Sequence, residues 1–596
     1  MSTAPDLLLV PRPQRLRSTG GHASVDVPLR TAQTDGLRAE GFRLTIEPDG
    51  VTLEHRDDNG RRFGLACLDQ ITAQSPDQRL PCLVIEDWPD FPVRGFMLDI
   101  SRDRVPTRAT LERLVAVMTL ARVNLFQLYT EHTFAYRDHE VVWRDASPMT
   151  PDDIRWLDAH CHTHGIELVP NQNCFGHMDR WLKHDRYRDR AEAPDGFEFM
   201  AGMHRAPTVL QPTPENADFA LALFDELLPN FSSRQVAVNC DETFELGLGA
   251  SRADVERRGR EAVYVEHLLR IAEPLHRQGY RVHMWADVLR RDPSLAKQLP
   301  DDIVLGAWSY EAPSKRDPEA HWAGMAPQLR AALDRLGIDL SAHRSFADNV
   351  APLVDAGLSF WVVPGTSSWL SLVGRVDNAV DNLVDAAATG LEHDCGGYVV
   401  TDWGDGGHMQ PPSVSFGPLL FGGAVSWSLA ANRDLDLPAV LDRFVFGDGS
   451  GRLGGALDSI GRAWRKTGQR SSNSSPLYYA VASDMAGMVG REPVAAELVP
   501  LVDELDAAMA TIEASDPTST DADLVRHELV TATRLARHGA YRLLRQAGGS
   551  APDTAALRTD LAEGIQAQRE AWLARARPGG LEDSLAHLEH TLAEYG

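Results

Sequence analysis

The sequence predicts an α/β protein: a (β/α)8 barrel, preceded by a small α+β domain and followed by a C-terminal α-helical region. The main observation is that from Arg94 onward short apolar runs alternate eight times with helical patterns, as in a parallel barrel rather than an open sheet. Before that point the chain reads as hairpins, and after about residue 434 only helical periodicity remains. We therefore expect three domains, at residues 1–90, 91–433 and 434–596.

Composition restricts the class of protein. The chain has 596 residues, 43% of them hydrophobic, and a formal net charge of −26, which argues against a nucleic-acid or anionic-membrane surface. No apolar run is long enough to span a bilayer, and the opening MSTAPDLLLVPRPQRLR lacks the pattern of a signal peptide. The six cysteines form no CxxC motif. We expect a cytoplasmic protein without a metal or another cofactor.

The N-terminal domain is predicted from a hairpin and a helix. Residues Phe42–Ile46 and Val51–His55 alternate apolar and polar side chains around a Pro-Asp-Gly turn at 48–50. Residues Phe63–Ile71 have the pattern of a helix. The Pro-rich segment Asp87–Pro92 is a linker to the barrel.

Apolar, β-branched runs mark the barrel strands, and amphipathic patterns mark the helices between them. The strands are expected at 96–101, 123–129, 166–172, 236–241, 280–286, 303–308, 358–364 and 397–402. The helices are expected at Thr107–Leu120, Pro151–His164, Pro214–Leu228 and Arg257–Gln278, with two further stretches at 319–336 and 345–356. The C-terminal helices are expected at Ala495–Ser515, Asp521–Gln546, Thr554–Ala576 and Gly580–Tyr595. These last four are expected to pack on the barrel or on a second subunit.

Two adjacent carboxylates, Asp241 and Glu242, end the fourth predicted strand. Active sites of such barrels lie at the C-terminal ends of the strands. Neighbouring strand residues point in opposite directions, so this pair is poorly placed to straddle one glycosidic bond as two separate catalytic carboxylates do. Proximity raises the pKa of one of them. The pair is therefore suited to two different tasks on one sugar.

The other strand ends also carry polar and aromatic residues. They include Asp99, Arg102 and Asp103 after strand one, Glu131 and His132 after strand two, His177 after strand three, Trp285 and Asp287 at strand five, Trp308 and Tyr310 at strand six, Trp369 after strand seven, and Trp403 and Asp405 after strand eight. Several Trp rings together with carboxylates indicate a pyranose pocket, because aromatic faces stack on sugar C–H faces and carboxylates bind hydroxyls.

Four motifs carry a resemblance to a known family. They are Pro11-Arg12-Pro13, the segment Asp87–Gly95 before Met97-Leu98-Asp99, Phe175-Gly176-His177, and Asp241-Glu242. Over about residues 8–430 the chain resembles family 20 glycoside hydrolases, the β-N-acetylhexosaminidases. It is most similar to the divergent branch that includes hexosaminidase D, which has a Cys-Asp-Glu box.

The resemblance implies substrate-assisted catalysis, an exception to the two-carboxylate scheme. Glu242 would be the general acid/base, and Asp241 would orient the 2-acetamido group whose carbonyl oxygen attacks C1. The resemblance further implies that Arg94 binds ring hydroxyls, that His177 lies near the acid, and that Trp285, Trp308 and Trp403 wall the pocket. Asp405 matches the carboxylate of the family's Trp-x-Glu motif.

One departure concerns the acetamide. The family usually has a Tyr after strand seven that hydrogen-bonds the acetamide oxygen, whereas residues 364–369 read PGTSSW. Trp369 occupies this segment, and Tyr310 after strand six is a candidate substitute.

The resemblance implies an exo-acting, retaining β-N-acetylhexosaminidase that acts on terminal GlcNAc or GalNAc of an oligosaccharide or glycoconjugate. A β-N-acetylgalactosaminidase, an enzyme for a modified hexosamine and a non-catalytic sugar-binding barrel remain alternatives, and a homodimer stays open. A metal hydrolase is suggested by His160, His162 and His164, but their i, i+2, i+4 spacing divides them between helix faces and favours a solvated helix end.

Overall fold

The computed structural model of the protein describes residues 7–200, 203–313, 345–470, 473–482, 489–490 and 492–596. Among these residues, no helix is both long and apolar enough to cross a membrane. The helical stretch predicted at 319–336 lies outside the described residues.

The N-terminal domain is a five-stranded sheet with one helix packed on it. In chain order the strands are Arg15–Ser24, Leu29–Gln33, Phe42–Glu47, Gly50–His55 and Arg79–Asp87, and across the sheet they run first, fifth, third, fourth, second. The third and fourth strands form the predicted antiparallel hairpin, with Phe42 opposite His55. The helix Asp58–Thr72 begins where the Asp57 side chain accepts the N–H of Gly60. Its buried face packs on the apolar face of the sheet.

Eight parallel strands close into a barrel, which confirms the predicted fold class. Barrel strands one to eight, in chain order, are Val93–Asp99, Leu125–Thr130, Glu167–Gln172, Gln235–Asn239, Arg281–Trp285, Val304–Trp308, Phe360–Val363 and Gly397–Asp402. Strand eight pairs with strand one from Gly397↔Val93 to Asp402↔Leu98. Each strand lies within a few residues of its prediction, but strand four ends at Asn239, before the two carboxylates.

The helices around the barrel begin at sites that the sequence encodes. Thr107, Thr150 and Thr213 each accept a backbone N–H three residues on, and at Thr150 Asp153 completes a capping box. The longer helices are Arg108–Leu120, Pro151–Thr163, Pro214–Leu227, Arg260–Arg277, Phe346–Asp355, Val376–Glu392 and Pro412–Trp427. Shorter helices are Glu140–Trp143, Asp179–Leu182, Asp185–Arg188 and Arg252–Arg258, and 3-10 turns lie at Pro76–Gln78, Leu228–Asn230 and Pro293–Gln298. A small hairpin, Phe197–Met200 with Met203–Arg205, is inserted after strand three.

The C-terminal region is helical and packs on the barrel in one continuous core. Its helices are Leu429–Asn432, Leu437–Val440, the π-helix Leu441–Phe446, Leu453–Arg462, the 3-10 helix Ala463–Thr467, Pro476–Val481, Ala495–Glu513, Ala522–Gln546, Thr554–Arg575 and Leu581–Ala593. A two-residue antiparallel pairing of Gln469–Arg470 with Val489–Gly490 lies among them. The expectation that strands vanish after residue 434 was wrong in this detail.

Arg94 does not lie where the resemblance implied. It is the second residue of strand one, at the amino end of the barrel, about 16 Å along the strand from Asp99. Its fully buried guanidinium donates to the carbonyl oxygens of Phe91 and Arg122 and pairs with Glu40 of the N-terminal domain at 2.7 Å. The expected contact of Arg94 with ring hydroxyls is therefore corrected. This residue joins the two domains.

Arg94→Met should lower the stability of the protein and leave ligand binding in the folded fraction unchanged. Removing one partner of a buried ion pair strands the other charge, here Glu40, and costs about 3–5 kcal/mol. Thermal unfolding measures the loss. The matched control is Arg15→Met, because Arg15 is 70% exposed in its pair with Glu86 and such pairs contribute only about 0–1 kcal/mol. Equal melting temperatures for the two variants would contradict the assignment.

Candidate active site

Asp241 and Glu242 lie on a left-handed turn at the end of strand four. Asn239, Cys240 and Glu242 have φ of 59°, 62° and 49°, and the pairing with strand five shifts register between Ala237 and Asn239. The alternation of an extended strand therefore does not continue through the pair. Both carboxylates reach one imidazole: Nε2 of His177 lies 3.3 Å from Asp241 Oδ2 and 3.5 Å from Glu242 Oε2.

The loop that carries His177 can approach so closely because Gly176 precedes it. A Cβ on Gly176 would collide with the backbone carbonyl oxygen of Asp241. His177 itself has a left-handed φ of 52°. On the same loop, Asn173 donates its side-chain N–H to Asp241 Oδ1 at 2.9 Å. The loops after strands three and four are therefore in close contact at the two carboxylates.

The two neighbouring acids have opposite pKa shifts. Burial raises the pKa of Glu242 to about 7, since the attraction of His177 is smaller than the combined effect of lost hydration and repulsion by Asp241. Burial also disfavours the ionised form of Asp241, but the contact with His177, a backbone hydrogen bond and the charge of Arg102 together outweigh burial and lower the pKa of Asp241. The Glu242 side chain remains 37% exposed, which leaves it open to a ligand. Of the two acids, Glu242 is therefore the one that still carries a proton as the pH approaches neutrality, while Asp241 is ionised.

His177 is the cation between these acids. Burial disfavours its charged form, yet the charge and close contact of Asp241, together with the charge of Glu242, outweigh burial and raise the pKa of His177 to about 10. The guanidinium of Arg102, with Nη2 3.2 Å from His177 Nδ1, opposes this rise. The charged imidazole of His177 therefore lies between two groups: the carboxylates of Asp241 and Glu242 on one side, and the guanidinium of Arg102 on the other.

Arg102 is the arginine that the structure brings to this rim. Its guanidinium contacts Asp99 at 2.9 Å and Glu131 at 3.2 Å. Its Cζ lies 4.9 Å from the ring centre of Tyr129 and 5.1 Å from that of Trp403. The signal for Arg102 was present in the sequence, because it follows strand one whereas Arg94 comes at its start. The direction of strand one alone shows that Arg102, and not Arg94, lies at the carboxyl end of the barrel.

An aromatic wall lies across strands five to eight. Trp403 Nε1 donates to the Tyr310 hydroxyl at 2.9 Å, Trp308 stacks on Tyr310 with ring centres 5.4 Å apart, and Trp285 lies 6.2 Å from Trp403. Trp369 is only 1% exposed and meets Tyr310 edge-on. Trp369 therefore packs behind the wall. The rings of Trp285, Trp403, Tyr310 and Trp308 form one continuous aromatic surface.

Asp405 follows Trp403 on the loop after strand eight. Burial raises the pKa of Asp405, and the charge of Arg102 opposes that rise. The loop is tied to strand one, because the Gly404 N–H donates to Asp99 Oδ2 at 3.0 Å. The structure thus brings Asp241, Glu242, His177, Trp285, Trp308, Tyr310, Trp403 and Asp405 to one end of the barrel.

Two buried glutamates that the sequence analysis missed brace the loops behind the pair. Glu245, after strand four, accepts the backbone N–H groups of Thr208 and Val209. Glu192, on the loop after strand three, accepts those of Gly247, Gly249 and Ser251. Each loop therefore supplies the carboxylate that fixes the other. Nothing in the sequence of a loop indicates that its glutamate will accept hydrogen bonds from the backbone of another loop.

The histidine run lies at the end of a helix, with His160 and His162 in the last turn of Pro151–Thr163 and His164 directly after it. His160 stacks on Trp156 with ring centres 5.6 Å apart, and His164 lies next to it at the end of the helix. Across the described residues no group of three or more His, Cys, Asp or Glu side chains has the geometry to hold a metal ion.

Two family models match the chain. The model for glycosyl hydrolase family 20, domain 2, matches residues 7–88, and the model for the catalytic domain of that family matches residues 91–326. Together they cover a little more than half of the sequence, including Asp241, Glu242 and His177. The chain belongs to glycosyl hydrolase family 20. The catalytic match ends before strands seven and eight, which the structure adds to the family-20 barrel.

Similar proteins bear hexosaminidase names. A β-hexosaminidase of Akkermansia muciniphila is 27% identical over 256 residues, which is 39% of this chain and 51% of that protein. Hexosaminidase D of Bos taurus is 24% identical over 30% of this chain and 53% of its own. The match to each thus spans about half the relative's length. The match to hexosaminidase D has a lower identity and covers less of this chain than the match to the Akkermansia protein, so membership of that branch is only weakly supported.

A solved structure extends the likeness in fold to the C-terminal region. The chitobiase of Flavobacterium johnsoniae superposes with a TM-score of 0.53 at 15% identity, covering 94% of this chain and 96% of that one. At this identity the likeness concerns the fold alone.

Gly176→Ala should pull His177 away from Asp241. The new methyl group collides with a backbone oxygen that cannot rotate aside, so the loop must shift. We expect the pKa of the His177 imidazole to fall from about 10 toward its ordinary value, because the attraction of Asp241 weakens with distance. NMR titration of the imidazole measures the change. Gly455→Ala is the control, since no atom lies within 4 Å of its added Cβ. An unshifted His177 titration in Gly176→Ala would refute the close-approach argument.

Proposed function

We propose that this family-20 protein is an exo-acting, retaining β-N-acetylhexosaminidase that hydrolyses terminal β-linked GlcNAc or GalNAc. The observation that carries the proposal is the adjacent pair Asp241 and Glu242, turned toward one imidazole and differing in protonation near neutral pH. The names of the similar proteins support the substrate class.

Glu242 acts as the general acid in this proposal. A group that donates a proton to a leaving oxygen works best when its pKa lies near the working pH, and burial raises the pKa of Glu242 to about 7. Its partial exposure at the mouth leaves room for the glycosidic oxygen. After Glu242 has given its proton to the leaving oxygen, its carboxylate acts as the base that activates the attacking water molecule.

Asp241 acts on the acetamido group. Its ionised carboxylate is fixed by Asn173 and His177 and can hold the acetamide N–H while the carbonyl oxygen attacks C1. The oxazolinium formed in this step is cationic, so a fixed negative charge next to it stabilises the transition state. Two other acids of the mouth are already engaged: Glu131 by Arg102 and Tyr129, and Asp287 by the backbone N–H of Glu242. This supports the acetamide as the nucleophile.

The remaining groups bind the sugar. The rings of Trp285, Trp308, Tyr310 and Trp403 offer apolar faces to the pyranose and the acetamide methyl group. We assign the hydroxyl-binding role to Arg102 and Asp405, which face each other across the ends of strands one and eight. Tyr310 remains the candidate for the acetamide oxygen, because its hydroxyl lies on the aromatic wall and is oriented by the hydrogen bond that it accepts from Trp403.

A sugar-binding barrel without catalysis is the competing function. Binding alone has no use for an acid whose pKa lies near neutrality, so the raised pKa of Glu242 favours an enzyme.

We also propose a cytoplasmic location, supported by six unpaired, buried cysteines.

Glu242→Gln should reduce turnover according to the leaving group. General-acid catalysis contributes about 10²–10⁴-fold and is needed least when the leaving group is a weak base. We expect a large loss of kcat with unactivated disaccharides and a small loss with dinitrophenyl β-N-acetylglucosaminide. The control is Glu256→Gln, which is exposed on the helix Arg252–Arg258 and should behave as wild type. Equal losses on both substrates would remove Glu242 from the acid role.

The acetamide should be indispensable for turnover. The wild-type protein is expected to cleave p-nitrophenyl β-N-acetylhexosaminides with retention, to be inhibited by a thiazoline mimic of the oxazolinium, and to leave β-glucosides almost untouched. Asp241→Asn should lose most of kcat and retain sugar binding, because the lost charge acts mainly on the cationic transition state. Product anomers are read by NMR. Inversion, or a fluorosugar trapped on a protein carboxylate, would overturn the mechanism.

A further inference from the structure

A third carboxylate lies directly behind the catalytic pair. Asp287 follows strand five and accepts the backbone N–H of Glu242 on Oδ2 at 3.3 Å. Its other oxygen, Oδ1, is buried and has no hydrogen-bond partner among the described residues. Burial and the neighbouring charge of Asp241 raise the pKa of Asp287 to about 6. At neutral pH Asp287 is therefore mostly ionised and places a second negative charge near that of Asp241.

The group that Asp287 holds is the strained part of the turn. Glu242 has a φ of 49°, a conformation that a side-chain-bearing residue adopts only when its surroundings enforce it. Within the part of the chain that the structure describes, its backbone N–H donates to Asp287 alone. From the other side, Gly176 packs against the carbonyl of Asp241. The direction of the Glu242 side chain thus depends on a contact from strand five.

Several charges surround these two acids. Glu242 faces Asp241 on its own turn, His177 after strand three, Asp287 after strand five, Asp405 after strand eight and Arg205 of the inserted hairpin. Asp287 faces Asp241, Arg290, Arg260, Tyr264 and Cys240. His177 opposes the proton on Glu242, whereas Asp241, Asp287 and Asp405 favour it.

We propose that Asp287 is a positioning residue for the general acid: it holds the backbone of Glu242 in the left-handed turn, and its negative charge favours the protonated form of the Glu242 carboxyl. The role goes beyond the two residues of the reaction pair and rests on the proposed function. Asp287 acts through Glu242 and donates no proton to the substrate.

Two substitutions separate the two parts of the role. Asp287→Asn keeps an oxygen that can accept the Glu242 N–H and removes the charge. We expect the basic limb of the kcat/KM profile to move to lower pH by about half a unit or more, with activity at pH 5 nearly retained, because one of the charges that favour the proton is gone. Asp287→Ala also removes the acceptor. We expect kcat to fall by about 10–100-fold at all pH values, because the acid loses its direction.

A second readout does not depend on turnover. The side-chain carboxyl carbon of Glu242, labelled with ¹³C and assigned by its absence in Glu242→Gln, reports the protonation of Glu242 directly. In Asp287→Asn its titration should move down by the same amount as the kinetic limb. If the wild type cleaved no β-N-acetylhexosaminide, the proposed function would fail, while this titration would still decide the role of Asp287.

The control is Asp301→Asn, the same exchange at an exposed carboxylate before strand six, at the opposite end of the barrel. It should leave the pH profile and the Glu242 titration unchanged. An unmoved Glu242 titration in Asp287→Asn overturns the electrostatic part of the proposal. A raised KM with an unmoved basic limb would instead assign Asp287 to substrate binding, and a lower melting temperature alone would reduce it to a structural residue.

Discussion

The site depends on the turn after strand four. In an extended strand Asp241 and Glu242 would point to opposite sides. The left-handed residues Asn239, Cys240 and Glu242 end that alternation, and both acids then face His177. Such a turn carries strain that neighbours must hold in place. Here the neighbours are Gly176, Asn173 and Asp287, each from an adjacent strand end.

The excess of negative charge in the mouth follows from this geometry. Carboxylates crowd the end of the barrel, and Arg102 and His177 lie among them, with Arg205 nearby. His177 acts most strongly on Asp241, so Asp241 stays ionised and Glu242 retains a proton. A site that needs an acid and a fixed anion side by side obtains both because His177 favours the ionised form of Asp241 more than that of Glu242.

The C-terminal helices contribute to the same end of the barrel. Arg180, after strand three, bridges Asp103 after strand one and Asp583 of the last helix at 2.5 and 2.7 Å. Tyr478 donates to the carbonyl oxygen of Gly406, and Ser584 donates to that of Gly407. The loop that carries Trp403 and Asp405 is therefore held from outside by the helical region. This region braces the rim and is more than a solvated appendage.

The sequence by itself determined the barrel, its strand order and most of the rim. Apolar runs and Thr caps are local signals, and strand polarity sends every carboxyl end to one side, so Asp241, Glu242, Trp285 and Trp403 could be placed together in advance. It could not identify Asp287, Glu192 or Glu245 as bracing residues, because their partners are backbone N–H groups brought near only by folding. It also assigned to Arg94 a role at the rim, where the structure has Arg102. Only the tertiary structure decided how the two acids face each other, since a left-handed φ at non-glycine residues is imposed by packing from other strands and has no local sequence signal.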